Sequence, residues 1–203
     1  MIKKIAAAGV MALLTAPSAW ADTWYVDVDT RALIGQSGWL DFQFNPADLA
    51  APASSATVTA FSPVAGAAGA PSGDVTGNLG SVLVLGNSQV FNDWLQSYAF
   101  GSALRFTVEI KVPVPNNLDS GTAFSLSLYD SSFNSLLADP VWGAALVINA
   151  TDSGAFEVLA QTAPVSLSAS PVPEAVAAWL LLSGLLVVGW LHQRRGSAQV
   201  THA

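Results

Sequence analysis

The sequence predicts an all-β fold, an antiparallel β-sandwich that is jelly-roll-like, with a cleavable N-terminal signal peptide and a C-terminal transmembrane helix. Apolar and polar residues alternate with period two in several segments, which is typical of strands with one buried face. Clusters of Gly, Pro, Asn, Asp and Ser separate these segments and predict turns. An apolar run stands near each end of the chain. Together these observations predict a strand-rich body between two membrane-related segments.

The N-terminus has the features of a secretory signal peptide. Lys3 and Lys4 supply the positive start, and residues 5–14 are apolar but too few to span a bilayer. Ala19 and Ala21 are the small residues that signal peptidase requires around its cleavage site. We therefore expect export by the Sec machinery and cleavage by signal peptidase after Ala21.

Alternation is clearest in residues 104–112, where Arg105, Thr107, Glu109 and Lys111 share the polar face. Eight to ten short strands of this kind predict sheets packed face to face. We predict one or two helical turns in residues 92–99, and a final strand that runs into a linker within residues 163–173. The other predicted strands are residues 24–29, 39–44, 56–61, 82–85, 124–129, 144–149 and 155–161.

The C-terminal apolar run predicts a transmembrane helix. Residues 175–191 are seventeen residues without a charge, and a helix of that length reaches about 26 Å, near the lower limit for a span. Trp179 and Trp190 lie near its two ends, where indole rings favour the membrane interface. Arg194 and Arg195 follow as a membrane stop and predict a cytoplasmic C-terminus.

The tail resembles a known sorting signal. Val172, Pro173 and Glu174, followed by the apolar run and the basic cluster, are similar to the PEP-CTERM signal of Gram-negative bacteria. The resemblance implies that exosortase, a membrane-embedded cysteine protease-like transpeptidase, processes the tail and that the protein is sorted to the cell surface. It also implies an association with exopolysaccharide and biofilm. Ala175 stands where the family has a second proline, which bears on the efficiency of processing.

A second resemblance is local. Residues 25–30 and 35–46 are similar to a group of short PEP-CTERM proteins of uncharacterised activity. The predicted organisation is a signal peptide (1–21), an exported β-sandwich domain (22–168), a linker with the sorting motif (169–174), a transmembrane helix (175–191) and a basic cytoplasmic tail (192–203).

Composition excludes several function classes for the exported part. Residues 22–174 hold fourteen acidic side chains against three basic ones, Arg31, Arg105 and Lys111, which argues against nucleic acid as a partner. The chain has no cysteine, and both histidines, His192 and His202, follow the predicted transmembrane helix. Catalytic sets that need His or Cys, ordinary zinc sites and haem or iron–sulfur ligation are therefore excluded, and we expect no cofactor.

Carboxylates are the candidate metal ligands and catalysts. Asp27, Asp29 and Asp41 fall on the polar faces of two predicted strands, where their oxygens would suit Ca²⁺ if the strands were neighbours, although solvation of a wet face explains them equally well. Paired carboxylates can also cleave glycosidic bonds without histidine. No spacing selects a pair, so no catalytic residue is assigned. The conceivable members are Asp41, Asp93, Glu109, Asp130 and Glu157.

Tryptophans are the candidate carbohydrate contacts. Trp24 falls on an apolar strand face and is predicted to be core, whereas Trp39, on the polar face of its strand, is the first candidate and Trp142 the second. An exposed indole can stack on a sugar ring. The leading hypothesis is a surface-sorted, non-enzymatic protein of the exopolysaccharide matrix. The alternatives are a carbohydrate-binding module that uses Trp39 or Trp142, and a histidine-independent glycosidase or lyase.

Overall fold

The computed structural model describes residues 20–63, 68–112, 121–151 and 153–170, which form two antiparallel sheets. The predicted all-β class is confirmed. A short 3₁₀ helix, Arg31–Leu33, follows the first strand. The strands are β1 (Trp20–Asp29), β2 (Ser37–Pro46), β3 (Ser55–Ser62), β4 (Ala70–Ser72), β5 (Val75–Gly77), β6 (Val82–Gly86), β7 (Asp93–Ala99), β8 (Ala103–Val112), β9 (Thr122–Asp130), β10 (Ser135–Leu136), β11 (Leu146–Ala150), β12 (Phe156–Gln161) and β13 (Val165–Ser170).

Strands β1 to β5 and strands β6 to β9 alternate between the two sheets, whereas β9 to β12 all belong to the second sheet. The first sheet has the order β13-β1-β8-β3-β6-β5, and the second has the order β12-β11-β9-β2-β7-β4, with β10 beside β9. Consecutive strands β1 and β2 therefore lie in different sheets. The connection between them, residues 30–36, crosses one end of the fold.

The buried faces of both sheets meet in one hydrophobic core. Phe42 of the second sheet packs edge-on against Phe106 of the first, with ring centroids 5.2 Å apart. Trp24 of the first sheet likewise meets Phe156 of the second at 5.0 Å. Because alternate residues of each strand point into this core, the other residues form two outer faces.

Most predicted strands are confirmed, but the helical turns in residues 92–99 are wrong, because this segment is strand β7. Trp94, Gln96 and Tyr98 of β7 point inward and are buried. The polar member, Gln96, is tolerated because its Oε1 accepts a hydrogen bond from Trp94 Nε1 at 2.9 Å. Strands β4, β5 and β10 were not predicted and have two or three residues each.

The register places the start of β1 beside the end of β13. Thr23 of β1 pairs with Ser170 of β13, so the chain enters and leaves the sheets at one end of the fold, here called the terminal end. From there β1 runs to Asp29 at the opposite end, here called the far end. Gly38, just after the β1–β2 connection, pairs with Asp130. The turn that follows Asp130 therefore lies at the far end.

Several predicted segments lie outside the described residues: positions 1–19 of the signal peptide, the sorting motif at Val172, Pro173 and Glu174, residues 175–191, and the membrane stop at Arg194 and Arg195. Within the described part of the chain, we find no helix long and apolar enough to cross a bilayer. Ala21, the last residue of the predicted signal peptide, lies in β1 and pairs with Lys111.

Candidate functional site

The outer face of the second sheet carries a polar row along β2. Trp39, Asp41, Gln43 and Asn45 share this face because Leu40, Phe42 and Phe44 between them fill the core. Gln43 Nε2 donates to Asp41 Oδ2 at 2.6 Å, and Asn45 Nδ2 donates to Gln43 Oε1 at 2.9 Å. These hydrogen bonds fix the three polar side chains relative to one another.

Asp41 is an unusual carboxyl within this polar row. It is only 6% exposed, and its Oδ1 atom is buried without a hydrogen-bond partner among the described residues. Burial raises its pKa to about 6, the hydrogen bond from Gln43 opposes that rise, and the charge of Asp93 adds to it. Asp41 therefore titrates near neutral pH, and its charged form is poorly compensated.

Asp93 is the diagonal neighbour of Asp41. Asp41 pairs with Leu95 of β7, and Gln43 pairs with Asp93, so the two carboxyls lie on one face about 7–8 Å apart at the backbone. Of the described carboxylates considered for glycosidic chemistry, these two come together. The hydrolase alternative stays a prediction with this pair as its structural basis.

The other three carboxylates considered for glycosidic chemistry are Glu109, Glu157 and Asp130. None of them is a cross-strand neighbour of Asp41 or Asp93. Glu109 forms an ion pair with Lys111 on the first sheet, with Oε2 and Nζ 3.0 Å apart. Glu157 is exposed on β12. Asp130 ends β9 and organises the turn after it.

An aromatic cluster lies beside the polar row. It consists of Trp39, Tyr129 and Phe133. Trp39 and Tyr129 are cross-strand neighbours on β2 and β9. Phe133 stacks on Trp39 with ring centroids 5.3 Å apart and an angle of 13° between the ring planes, and it meets Tyr129 at 6.2 Å. Trp39 is half-buried, whereas Phe133 remains 54% exposed. The open aromatic surface of the cluster is therefore that of Phe133.

The turn that carries Phe133 is held by Asp130. Its Oδ1 accepts hydrogen bonds from the backbone N–H groups of Ser132 and Asn134, at 2.8 and 2.9 Å, and its Oδ2 accepts one from Asn134 Nδ2 at 2.8 Å. The hydrogen bonds from the side chain and backbone of Asn134 lower the pKa of Asp130. Asp130 is thus a charged anchor that fixes the position of Phe133.

Trp142 lies in a different loop. Asp139 Oδ1 accepts hydrogen bonds from the backbone N–H groups of Val141 and Trp142, at 2.8 and 3.0 Å. Trp142 is 49% exposed at the tip of this turn, next to the exposed Val141. Both predicted carbohydrate contacts, Trp39 and Trp142, are therefore at least partly exposed, but their surroundings differ. Trp39 has an aromatic stacking partner, and Trp142 is a loop-tip residue.

The three candidate calcium ligands are not brought together, because their strands are not neighbours. Asp27 and Asp29 lie on β1 of the first sheet, whereas Asp41 lies on β2 of the second. Asp27 Oδ2 accepts from Arg105 Nε at 2.5 Å, and the hydrogen bonds from Arg31 lower the pKa of Asp29 to about 2. Among the described residues, no group of three acidic, His or Cys side chains could hold a metal ion.

A shallow open depression of about 430 Å³ lies at the far end of the fold. Its two ionisable groups, Asp29 and Arg31, pair with each other at 2.5 Å, so neither charge is left for a ligand. Its lining residues are Asp29, Arg31, Ala32, Leu137, Ala163 and Pro164.

Phe133 and Tyr129 were missed as site residues by the sequence analysis. Tyr129 falls in the predicted strand 124–129, but its pairing with Trp39 depends on the register between two strands. Phe133 stands in the turn sequence Asp130-Ser131-Ser132-Phe133-Asn134, where a large aromatic residue among turn formers is an available signal.

Comparisons with protein-family models, with characterised proteins and with solved structures give no significant match to this chain.

Proposed function

We propose that this chain is an exported, non-enzymatic protein that exosortase sorts to the cell surface, where it associates with extracellular polysaccharide. The observation that carries the proposal is the tail sequence: Val172, Pro173 and Glu174, then an uncharged apolar run, then Arg194 and Arg195. By this proposal the precursor is anchored in the inner membrane, and the mature form is at the surface or in the matrix.

The position of β13 supports this route. It ends at Ser170, at the edge of the first sheet, and Pro171 and Pro173 follow at once. Proline favours extended backbone in and before its own position, and proteases bind extended peptides. The sorting motif therefore begins directly after the last described strand, and its cleavage removes no residue from that strand.

Substitution of the sorting motif tests the proposal. With Val172, Pro173 and Glu174 all changed to alanine, we expect the precursor to accumulate in the inner membrane and to disappear from the surface fraction. Fractionation followed by immunoblotting measures this distribution. The double variant His192→Ala with Gln193→Ala, which spares the motif and both arginines, is the matched control and should be sorted normally. Equal surface amounts of the motif variant and this control would refute the proposal.

We also propose that the two sheets form a jelly-roll β-sandwich. The supporting observation is the strand order: β1-β8-β3-β6 run consecutively in one sheet and β2-β7-β4 in the other. This alternation of successive strands between facing sheets is the arrangement expected of a double-sheet jelly roll. Strands β9 and β11–β13 extend both sheets at their other edges.

A second candidate function is that of a carbohydrate-binding module. The aromatic cluster of Trp39, Tyr129 and Phe133 favours it, because outward-facing aromatic rings next to amide and carboxylate groups suit sugar rings and their hydroxyls. Retardation of the protein in a gel that contains matrix polysaccharide tests this function.

A further inference from the structure

We propose that Phe133, stacked on Trp39, is the sugar-stacking ring of a site for uncharged polysaccharide. This inference rests on the proposed association with polysaccharide and adds the contact residue and the ligand class. It assigns the primary contact to a turn residue rather than to either tryptophan considered from the sequence.

The backbone of Phe133 is the first argument. Its φ of +63° lies in the left-handed region, which bulky residues rarely adopt and which Asn or Gly occupies more easily. Strained residues of this kind cluster at functional sites. The Phe133 ring is not there to fill the core, since it is 54% exposed. The ring stacks nearly parallel on Trp39 and also contacts Tyr129, which directs its exposed surface away from the sheet.

Preorganisation is the second argument. Asp130 accepts three hydrogen bonds from Ser132 and Asn134 and so holds the turn. The backbone N–H of Phe133 also donates to Asp130 O at 3.1 Å. A ring held in place before binding loses little conformational entropy when a ligand stacks on it.

The charges around this ring define the ligand class. The described residues contain three cations, and all of them belong to the first sheet or the connection after β1: Arg31, Arg105 and Lys111. Each is already paired, with Asp29, Asp27 and Glu109 respectively. In the second sheet, Asp41 and Asp93 lie on the outer face and Asp130 ends β9 beside Phe133, with no cation among the described residues of its strands. This negative charge repels uronates and sulfated sugars. The carboxylates and amides of this sheet are acceptors that suit sugar hydroxyl donors.

Position in the fold is compatible with a long ligand. Phe133 lies at the far end, opposite Trp20 and Ser170, where the chain enters and leaves the sheets. The polar row continues from Trp39 along the same face in steps of about 7 Å. A polysaccharide that stacks on Phe133 can therefore follow the outer face of the second sheet.

The test measures binding of the full-length protein, purified in detergent, to three soluble probes: hydroxyethyl cellulose as the uncharged glycan, a polyuronate and a polyglucosamine. Phe133→Asn removes the ring and suits the left-handed backbone, so it should fold normally. We expect it to weaken binding to the uncharged glycan at least about tenfold. Phe133→Trp should restore binding.

Tyr25→Ser is the matched control, because Tyr25 is as exposed, at 53%, but lies on the outer face of the first sheet. It should bind like the wild type at any salt concentration. Unchanged binding by Phe133→Asn, or wild-type binding confined to a charged probe and abolished by salt, would overturn the proposal. Either result leaves the sorting proposal to be judged separately, from the mass of the processed tail.

Discussion

Asp41 shows how one buried carboxyl on the outer face of a sheet can lower the stability of the protein at neutral pH. Its pKa is raised to about 6 from an ordinary value of 3.8, chiefly by burial. Between these two pH values the folded state binds more protons than the unfolded state. The free energy of unfolding therefore falls as pH rises from about 4 to about 6, and the loss is complete above the folded pKa.

We predict that Asp41→Asn stabilises the protein at pH 7 by up to about 3 kcal/mol, because a neutral amide of the same shape avoids the buried charge. The variant should also remove the Asp41 contribution to the pH dependence between about pH 4 and 6. Urea unfolding across this pH range measures both effects. Asp27→Asn, which breaks an exposed ion pair with Arg105, is the control and should change stability by less than about 1 kcal/mol.

An Asp41→Asn variant that is less stable than the wild type at pH 7 would contradict this account of Asp41. It would indicate that the Asp41 carboxylate has a second favourable partner besides Gln43.

Trp24, Asp41 and Phe133 also show which properties of a single residue can be predicted from the sequence. Trp24 could be assigned to the core because alternation within one strand decides which way it points. The polar neighbours of Asp41 were equally visible, but its burial depends on β7 and β9, which flank it. Phe133 contacts Trp39 because the turn that carries it folds back onto β2. No local periodicity in the sequence predicts that contact.

At the scale of the strands, close backbone approach limits what β2 can accommodate. A Cβ atom on Gly38 would lie 1.9 Å from the backbone oxygen of Tyr129 on β9. That oxygen belongs to the paired strand and cannot swing aside like the end of a long side chain. The glycine therefore lets β2 and β9 pair at the far end, directly beside Trp39.

We predict that Gly38→Ala destabilises the protein by about 1–3 kcal/mol, the usual cost of overpacking, because β2 must separate from β9. It should also displace Trp39 and change the fluorescence of the protein. Thermal unfolding measures the first effect. Gly101→Ala is the matched control, since no atom lies within 4 Å of its added Cβ, and it should leave the melting temperature nearly unchanged. Equal stability of the two variants would contradict the packing described for β2 and β9.

The strands could be predicted to very different degrees. Residues 104–112 alternate without exception, and β8 is found there. β7 was mistaken for helical turns because Gln96 points inward while Leu95 points outward, which obscures the period of two. The assignment of each strand to one of the two sheets could not be predicted. Alternation indicates which residues face the core, but not which strands are neighbours. For this reason the sequence left open whether Asp27 and Asp41 are close, and the structure places them on different sheets.

At the scale of the whole molecule, charge and connectivity bear on the proposal of an exported protein with a sorting signal near its C-terminus. The acidic excess works against nucleic acid as a partner. Thr23 and Ser170 are paired neighbours, so the start of β1 and the end of β13 lie at one end of the fold. The aromatic cluster lies at the other end. This separation lets us propose distinct roles, with delivery assigned to the tail and polysaccharide contact to the cluster.

The intact mass of the protein recovered from the surface fraction of producing cells tests the central claim most directly. We predict a chain that begins at Asp22 and has lost the apolar run and the basic cluster after the sorting motif. A surface form that retains Arg194 and Arg195 would contradict the claim.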